Sequence, residues 1–513
     1  MQMGIVYLIG AGPGDPGLIT VKGLNCLRRA DVVVYDYLAN PVLLEEAPPS
    51  AERLYVGKTR GRHHLPQPEI NALLIERALR GQVVARLKGG DPYVFGRGGE
   101  EAEELQQAGI PFEVVPGISA GFAAAAYAGI PLTHRDYTTS LALVTGHENP
   151  EKKVSNLDWE KLSTGVGTLV FYMGMSNLEL IAGQLMAHGR SPATPAAVIR
   201  WGTTPRQQTV TGTLSDIVDK VRLAGLQPPA VTVIGEVVKL REKLRWFDNR
   251  PLFGRRVLVT RAQHQAREMV NLLQSAGAEA LCLPTLEITA PESWKDLDEA
   301  ITRLAETDLL VLTSVNGVAA FFDRLAAAGL DSRALQGVEL AVVGPKTAAA
   351  LAKHGLRADL MPKDHRAEGI TALLKQRGVA GKRILYPRSA LARDLLCREL
   401  TDAGASVDAP VAYRTVQPAP ERDRLRRLFA ENSLDAVTFT SSSAVDHFLA
   451  LLEETGITLP PEIAVASIGP LTTETARRHG LGVAVEAKAA TGESLVEALG
   501  EHFRKNPASV SES

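Results

Sequence analysis

The chain is poor in the residues that announce a disulfide framework, a metal centre or a membrane span. Its three cysteines, Cys26, Cys282 and Cys397, are scattered over 513 residues, and none stands in a CxxC pair. That excludes a stapled or zinc-ribbon architecture and is the usage of a reducing compartment. No metal is expected. No apolar run is long enough to span a bilayer. The first residues, MQMGIVYLIGAGPG, lead straight into a strand without the basic stretch and apolar core of a secretory leader, so a cytoplasmic protein is expected. An excess charge of one sign is also missing. The formal net charge of −2 gives no general attraction to nucleic acid or anionic lipid, so a polyanionic ligand must be met by local clusters. What remains is an ordinary soluble profile, 45% hydrophobic and 22% charged, over a length that suits about three or four domains.

The most informative stretch is Val83 to Glu101, VVARLKGGDPYVFGRGGEE. A β-branched run stops at Lys88, Gly89-Gly90-Asp91-Pro92 breaks it, and a helix begins near Glu100. A strand ending in a glycine loop before a helix is where open α/β sheets hold ligands. Paired glycines let backbone approach a ligand with no Cβ in the way. Asp91 adds a carboxylate, and Lys88 and Arg97 are read as positive flanks of the loop. Similar loops recur along the first half. The strand Ile5–Ile9 enters Gly10-Ala11-Gly12-Pro13-Gly14-Asp15, and Phe112–Val115 ends at Pro116-Gly117-Ile118-Ser119-Ala120. A second lobe follows, with strands at 141–145, 168–173, 196–200, 207–211 and 230–234. Two lobes whose glycine loops face each other predict a cleft.

The first loop matches a dinucleotide fingerprint at Gly10 and Gly12 and then departs from it. Asp15 takes the place of the last glycine, and Pro13 and Pro16 remove amide donors. Asp36 follows the strand Val32–Tyr35, near where a ribose-binding acid would stand. A nicotinamide-dependent dehydrogenase is therefore kept as an alternative. Lys58-Thr59-Arg60-Gly61-Arg62-His63-His64 is a basic loop of a kind that is usually a solvated surface run.

GAGPGDPGLITVKG, VVYD, RLKGGDPYVFGRGGEE, VVPGISA, PLTHRDY, LVTGH, FYMGM and Trp201-Gly202-Thr203, in that order, resemble the uroporphyrinogen-III C-methyltransferases of the tetrapyrrole methylase superfamily. The likeness runs from about Ile5 to Phe247. It implies S-adenosylmethionine bound between the lobes by Pro13, Gly89, Gly90, Asp91, Val94, Ser119, Ala120, Met173, Gly202 and Ala230. It also implies Asp36 as proton acceptor and Lys58 as proton donor. The implied substrate is a polycarboxylated pyrrole macrocycle, for which Arg60, His63, His134 and Arg135 are the expected cationic partners. A homodimer through this half is expected by the same analogy.

Trp246 to Gly254 reads as a short polar linker, with the boundary at 247–253. Beyond it lies an internal repeat. Arg256-Val257-Leu258-Val259-Thr260-Arg261 recurs as Arg383-Ile384-Leu385-Tyr386-Pro387-Arg388. Asp308 through Thr313-Ser314 recurs as Asp435 through Thr440-Ser441, and Val343-Gly344-Pro345 as Ile468-Gly469-Pro470. Each copy alternates strands and helices as a parallel α/β array does. Ser and Thr at the strand ends are ordinary helix caps, and such caps also line the ligand crevice of a parallel sheet.

These pieces, together with Val411-Ala412-Tyr413-Arg414-Thr415, resemble uroporphyrinogen-III synthases over about Gly254 to Phe503. The implied architecture is two doubly wound parallel α/β domains, one from about 254–286 plus 416–505 and one from about 289–412. The implied reaction closes linear hydroxymethylbilane with inversion of the last ring and needs no cofactor. Tyr413 is the implied acid. Arg261, Ser314, Gly344, Thr440, Ser441, Ser442, Gly469 and Thr472 are the implied substrate contacts. A tetrapyrrole-binding module without catalysis is the alternative for this half. The tail after 505 is expected to be disordered.

Overall fold

The computed structural model describes residues 3–57, 65–147, 157–260, 263–283, 287–392, 394–416, 421–430 and 434–506. They form two compact units. One holds the residues up to Arg256 with Leu273–Glu279 and the stretch from Gly500, and the other holds Val257–Leu272 and Ala280–Leu499.

The first unit contains two five-stranded sheets. In the first, β1 (Ile5–Gly10), β2 (Val32–Tyr35), β3 (Glu52–Tyr55), β4 (Val83–Lys88) and β5 (Phe112–Val115) lie in the order β3-β2-β4-β1-β5. Every pairing is parallel. Helices cover both faces of such a sheet, so its strands are continuous apolar runs such as Val32-Val33-Val34, all fully buried. This order removes the dehydrogenase alternative. A dinucleotide fold sets β2 beside β1, which brings the acid after β2 to the fingerprint loop. Here β4 lies between them, and Asp36 faces β4 instead.

In the second sheet, β6 (Leu141–Thr145), β7 (Thr168–Tyr172), β8 (Pro195–Arg200), β9 (Gln208–Thr213) and β10 (Ala230–Ile234) lie in the order β6-β7-β10-β8-β9. The polar β9 occupies an edge, where one side of a strand needs no partner. β10 runs antiparallel to β7 and β8, with Val231 opposite Tyr172 and Ala230 opposite Arg200. The start of β10 thereby meets the ends of β7 and β8 at one edge. The segment expected to be a polar linker is in fact packed. Phe247 and Leu252 are buried, and Asp248 pairs with Arg241. Its polar composition hides two apolar anchors.

The second unit contains twelve strands. They are β11 (Arg256–Val259), β12 (Glu279–Cys282), β13 (Glu287–Thr289), β14 (Leu309–Leu312), β15 (Glu339–Val342) and β16 (Arg383–Leu385), then β17 (Arg388–Ser389), β18 (Ser406–Asp408), β19 (Val411–Val416), β20 (Ala436–Phe439), β21 (Ala464–Ser467) and β22 (Val483–Glu486). One sheet has the order β12-β11-β20-β21-β22 and a second the order β15-β14-β16-β18. Read from the other edge, the second sheet repeats the first, and the parallel bridge Ala341–Leu360 stands in for the β21–β22 pairing. The repeat seen in sequence is therefore crossed in space. Each sheet joins the opening strands of one copy to the closing strands of the other. The small sheet β13-β19-β17 carries the two crossings of the chain.

Candidate functional site

In the first unit, three glycine loops converge at the carboxyl edge of the parallel sheet. Gly12 and Gly90 exchange backbone hydrogen bonds, Gly90 N to Gly12 O at 2.8 Å and Gly12 N to Gly90 O at 3.3 Å. A Cβ on Gly10 would stand 2.4 Å from the Gly117 Cα, and one on Gly117 would stand 2.4 Å from the Gly90 oxygen. Only glycine allows backbone to pack on backbone in this way. Asp91 locks the arrangement. One carboxylate oxygen accepts Tyr93 N at 2.8 Å and the other accepts Gly117 N at 3.0 Å. Asp91 is thus a clamp between two loops rather than a free acid at the rim.

The second sheet closes on these loops. Tyr172 Oη lies 2.7 Å from Ser119 Oγ and accepts Gly121 N at 2.9 Å. Burial raises the pKa of this phenol, which keeps it protonated. The Phe95 ring lies 4.9 Å from that of Tyr172. Val94 and Ala120 pack with Ile199 and Val231. Gly202 passes so close to Ala124 that a Cβ there would meet the Ala124 Cβ at 2.4 Å. Among the described residues five non-glycine residues have positive φ: Phe95, Arg97, Met173, Trp201 and Thr203. All five lie in loops of this cleft. Left-handed backbone is costly for such side chains and concentrates at functional sites. Phe95 and Met173 are also exposed, as are Tyr93, Ile118 and Phe122 nearby. The result is a tightly packed set of loops with apolar side chains exposed at the rim.

Beneath the loops lies a set of buried charges. Arg86, Lys88 and Glu101 are 3%, 4% and 1% exposed. Lys88 Nζ stands 2.7 Å from Glu101 Oε1 and Arg86 Nε 3.3 Å from the same oxygen, to which Gln67 Nε2 also donates at 3.0 Å. Arg86 Nη2 reaches Asp36 Oδ2 at 3.2 Å, and Asp36 Oδ1 accepts Leu38 N at 3.1 Å. Two cations thus face two carboxylates, and Asp36 is the member that opens toward solvent. Burial, then the adjacent Arg86 charge, pulls the Lys88 pKa down, and Glu101 opposes that. Buried ion pairs are a poor source of net stability, so their place beneath a cleft points to function. The reading of Lys88 and Arg97 as positive flanks of the loop is corrected here. Lys88 is sunk on Glu101, and Arg97 is engaged by Glu100 at 2.6 Å.

The structure places Pro13, Gly89, Gly90, Asp91, Val94, Met173 and Gly202 in the loops that follow β1, β4, β7 and β8, Ser119 and Ala120 at the start of the helix after β5, Asp36 after β2, and Ala230 at the start of β10, where its side chain packs into the core on the other face of the second sheet. His134 and Arg135 lie in the turn before β6. Among the described residues no hydrogen bond or ion pair joins their side chains to the loops. Lys58, Arg60 and His63, like Arg261 in the second half, lie outside the described residues. Arg86, Glu101 and Tyr172 were missed. The signal for Arg86 and Lys88 was present, since two cations at alternate positions of an otherwise apolar central strand point to one face.

In the second unit the implied contacts fall into two groups. Ser314 caps the helix Val315–Ala327, accepting Gly317 N at 2.9 Å, and its Oγ lies 3.0 Å from Tyr413 Oη. Gly344 caps Pro345–Ala352 beneath the His365 side chain. The corresponding Ser441 accepts Ala444 N at 3.2 Å and touches Ser443 Oγ at 3.0 Å, and among the described residues no tyrosine bonds it. A Cβ on Gly469 would meet nothing within 4 Å. Ser442 donates to Leu471 O and accepts from Thr475 Oγ1 at 2.9 Å. Thr440 follows β20 at the same edge. Thr472 departs from expectation. Its side chain is buried and its amide bonds Gly469 O at 3.1 Å, so it offers neither group to a ligand. Among the described residues no helix is long and apolar enough to cross a membrane, and no group of three or more His, Cys, Asp or Glu is arranged to hold a metal.

Comparison with known proteins gives both halves a place. Residues 5–218 match the tetrapyrrole (corrin/porphyrin) methylases, and residues 267–497 match uroporphyrinogen-III synthase HemD. A porphyrin biosynthesis protein HemD of Ruminiclostridium josui is 37% identical over 97% of this chain and 98% of its own length. The uroporphyrinogen-III C-methyltransferase of Bacillus subtilis is 46% identical over 65% of this chain and 68% of its own. The solved structure of a Thermus thermophilus uroporphyrin-III C-methyltransferase complexed with S-adenosyl homocysteine is 40% identical, covering 46% of this chain and all of that one, with a TM-score of 0.40. The chain belongs to the proteins that fuse a tetrapyrrole methylase to a uroporphyrinogen-III synthase.

Proposed function

We propose that the chain performs two consecutive steps of tetrapyrrole synthesis, the second half making the substrate of the first. The second half is a uroporphyrinogen-III synthase that closes hydroxymethylbilane with inversion of its last ring. The first half is an S-adenosylmethionine-dependent methyltransferase that adds two methyl groups, at C2 and C7, giving precorrin-2. The observation that carries this reading is Asp36. It is the one open carboxylate of the buried charge set, held on Arg86 beside the glycine loops.

S-adenosylmethionine supplies an electrophilic methyl group when bound. The glycine loops leave backbone groups of the cleft free of covering side chains, as a ligand approached by main chain requires. Gly10, Gly117 and Gly202 are close-packed on main chain or on Ala124, so these loops are held together before any ligand arrives. Asp36, oriented by Arg86, accepts the proton lost when a pyrrole carbon is alkylated. Lys58 donates a proton, and Arg60, His63, His134 and Arg135 bind substrate carboxylates. In the second half a leaving hydroxyl departs with help from the Tyr413 phenol. The Ser314 and Ser441–Ser442 edges take up carboxylates. The same reading puts the protein in the cytoplasm as a homodimer, which gel filtration of the purified chain tests.

The deciding experiment is one anaerobic incubation with hydroxymethylbilane, with and without S-adenosylmethionine, followed by isomer separation and mass spectrometry. Type III isomer without the donor and a gain of two methyl groups with it are expected. Type I isomer alone makes the second half a binding module. Type III isomer without a mass gain removes the methyltransferase.

A further inference from the structure

The loop after β1 is held from behind by residues that the chemistry above does not use. Asp15 Oδ2 accepts the Tyr127 hydroxyl at 2.7 Å, and its backbone N–H donates to Thr203 Oγ1 at 3.0 Å. Thr203 N donates to Gln207 Oε1 at 2.9 Å, and Gln207 Nε2 donates to Asp248 Oδ1 at 3.1 Å. Asp248 pairs through its other oxygen with Arg241, which donates to Ala128 O. Ala128 directly follows Tyr127, so the path closes on itself. This ring joins the loop after β1, the turn after β8 and the end of the helix Ala120–Tyr127, whose other end carries Ser119.

The ring is fastened to the segment that leads out of the first unit. The Tyr127 ring meets Trp246 edge to face at 5.0 Å and lies tilted against Phe247 at 4.8 Å, and Trp246 Nε1 donates to Ala126 O at 3.0 Å. The Arg250 guanidinium lies over both indole and phenyl rings, at 4.8 and 5.0 Å. A solvated linker needs none of these contacts. Two of the positive-φ residues, Trp201 and Thr203, flank the turn that the ring holds, so that strained backbone is kept in place from outside the cleft.

We propose that Asp248, with Gln207 and Tyr127, positions the donor-binding loops of the methylation site. The segment entering the second half is then a working part of the first, and a pull on that segment is felt at the cleft. This rests on the methyltransferase reading of the cleft.

Tyr127→Phe and Asp248→Ala, singly and together in the full chain, test the proposal. The readouts are the Kd of S-adenosylhomocysteine by calorimetry, KM and kcat for methylation, and hydroxymethylbilane cyclisation in the same samples. Each single variant is expected to raise the Kd and the donor KM about tenfold, as loss of one charge-assisted hydrogen bond does. The loss shows in KM more than in kcat. The double variant is expected to fall short of the product of the two, because both act through one ring. Asp248→Asn, which keeps an oxygen for Gln207, is expected to recover part of the affinity. A Kd within about twofold of the parent in both single variants, or fully multiplicative effects, overturns the proposal. If Asp248→Ala also loses cyclisation through misfolding, Tyr127→Phe decides alone, since it removes one oxygen and keeps the aromatic contacts. A parent protein that binds no S-adenosylhomocysteine overturns the methyltransferase reading, and the proposal with it.

Discussion

The two units bury polar groups of different kinds. The buried charged residues among those described, Arg86, Lys88 and Glu101, all belong to the first unit. The buried polar residues described in the second unit are all hydroxyls, among them Thr438, Ser467 and Thr473. In the second unit Thr260 and Thr438 each donate to a carbonyl of the neighbouring strand, at 2.9 and 3.0 Å, and Ser467 bonds Thr473. The difference matches the proposed chemistry. A methyl transfer between two bound molecules needs a fixed base, and a fixed base needs a buried counter-charge. A bilane that generates and stabilises its own cation needs mainly a surface that folds around it. One unit is built for orientation, the other for enclosure.

That comparison can be broken in order of effect. Asp36→Ala is expected to lower kcat for methylation by about 10²–10⁴, the range of a lost general base, while cyclisation by the same sample is kept. A methylation rate within about threefold of the parent removes Asp36 from the mechanism. Glu101→Ala leaves Arg86 and Lys88 facing each other with no carboxylate between them. A loss of about 3–5 kcal/mol is expected in the denaturant transition of the first unit, against no change in that of the second. Thr438→Val, the hydroxyl counterpart, is expected to cost only about 1 kcal/mol in the second unit's transition. An equal cost from the two changes would erase the contrast. The smallest effect separates the two crossed sheets. Ser441→Ala loses a helix cap, about 1 kcal/mol, whereas Ser314→Ala loses the cap and the Tyr413 contact. Ser314→Ala is expected to slow cyclisation more than Ser441→Ala, and Tyr413→Phe is expected to slow it similarly to Ser314→Ala, which stopped-flow isomer analysis reads out.

Much of this was legible in the residues. The strands with strong β-branched runs stand where the sequence places them, because a strand buried on both faces has little freedom to be anything else. The glycine loops were legible for the same kind of reason, since only glycine tolerates those backbone approaches. The left-handed backbone at Phe95, Met173 and Trp201 was not. No local signal marks a large side chain held at positive φ by its tertiary surroundings. Nor did a one-dimensional pattern show that Glu101, in the first turn of a surface-like GGEEAEELQQ helix, reaches back to the strand before it. The burial of Phe247 and Leu252 was masked by Asp248, Asn249 and Arg250 around them.

The crossed repeat of the second half has a consequence for a chain made from its first residue to its last. β11 and β12 leave the ribosome early, yet the neighbour that β11 needs, β20, is made only after β13 through β19. The sheet of β14, β15, β16 and β18 has no such wait, since all its strands lie within one stretch. It is expected to form first, while β11 and β12 persist as an unsatisfied edge that invites pairing with another nascent copy. Splitting the gene within β13 would not yield two independent folding units.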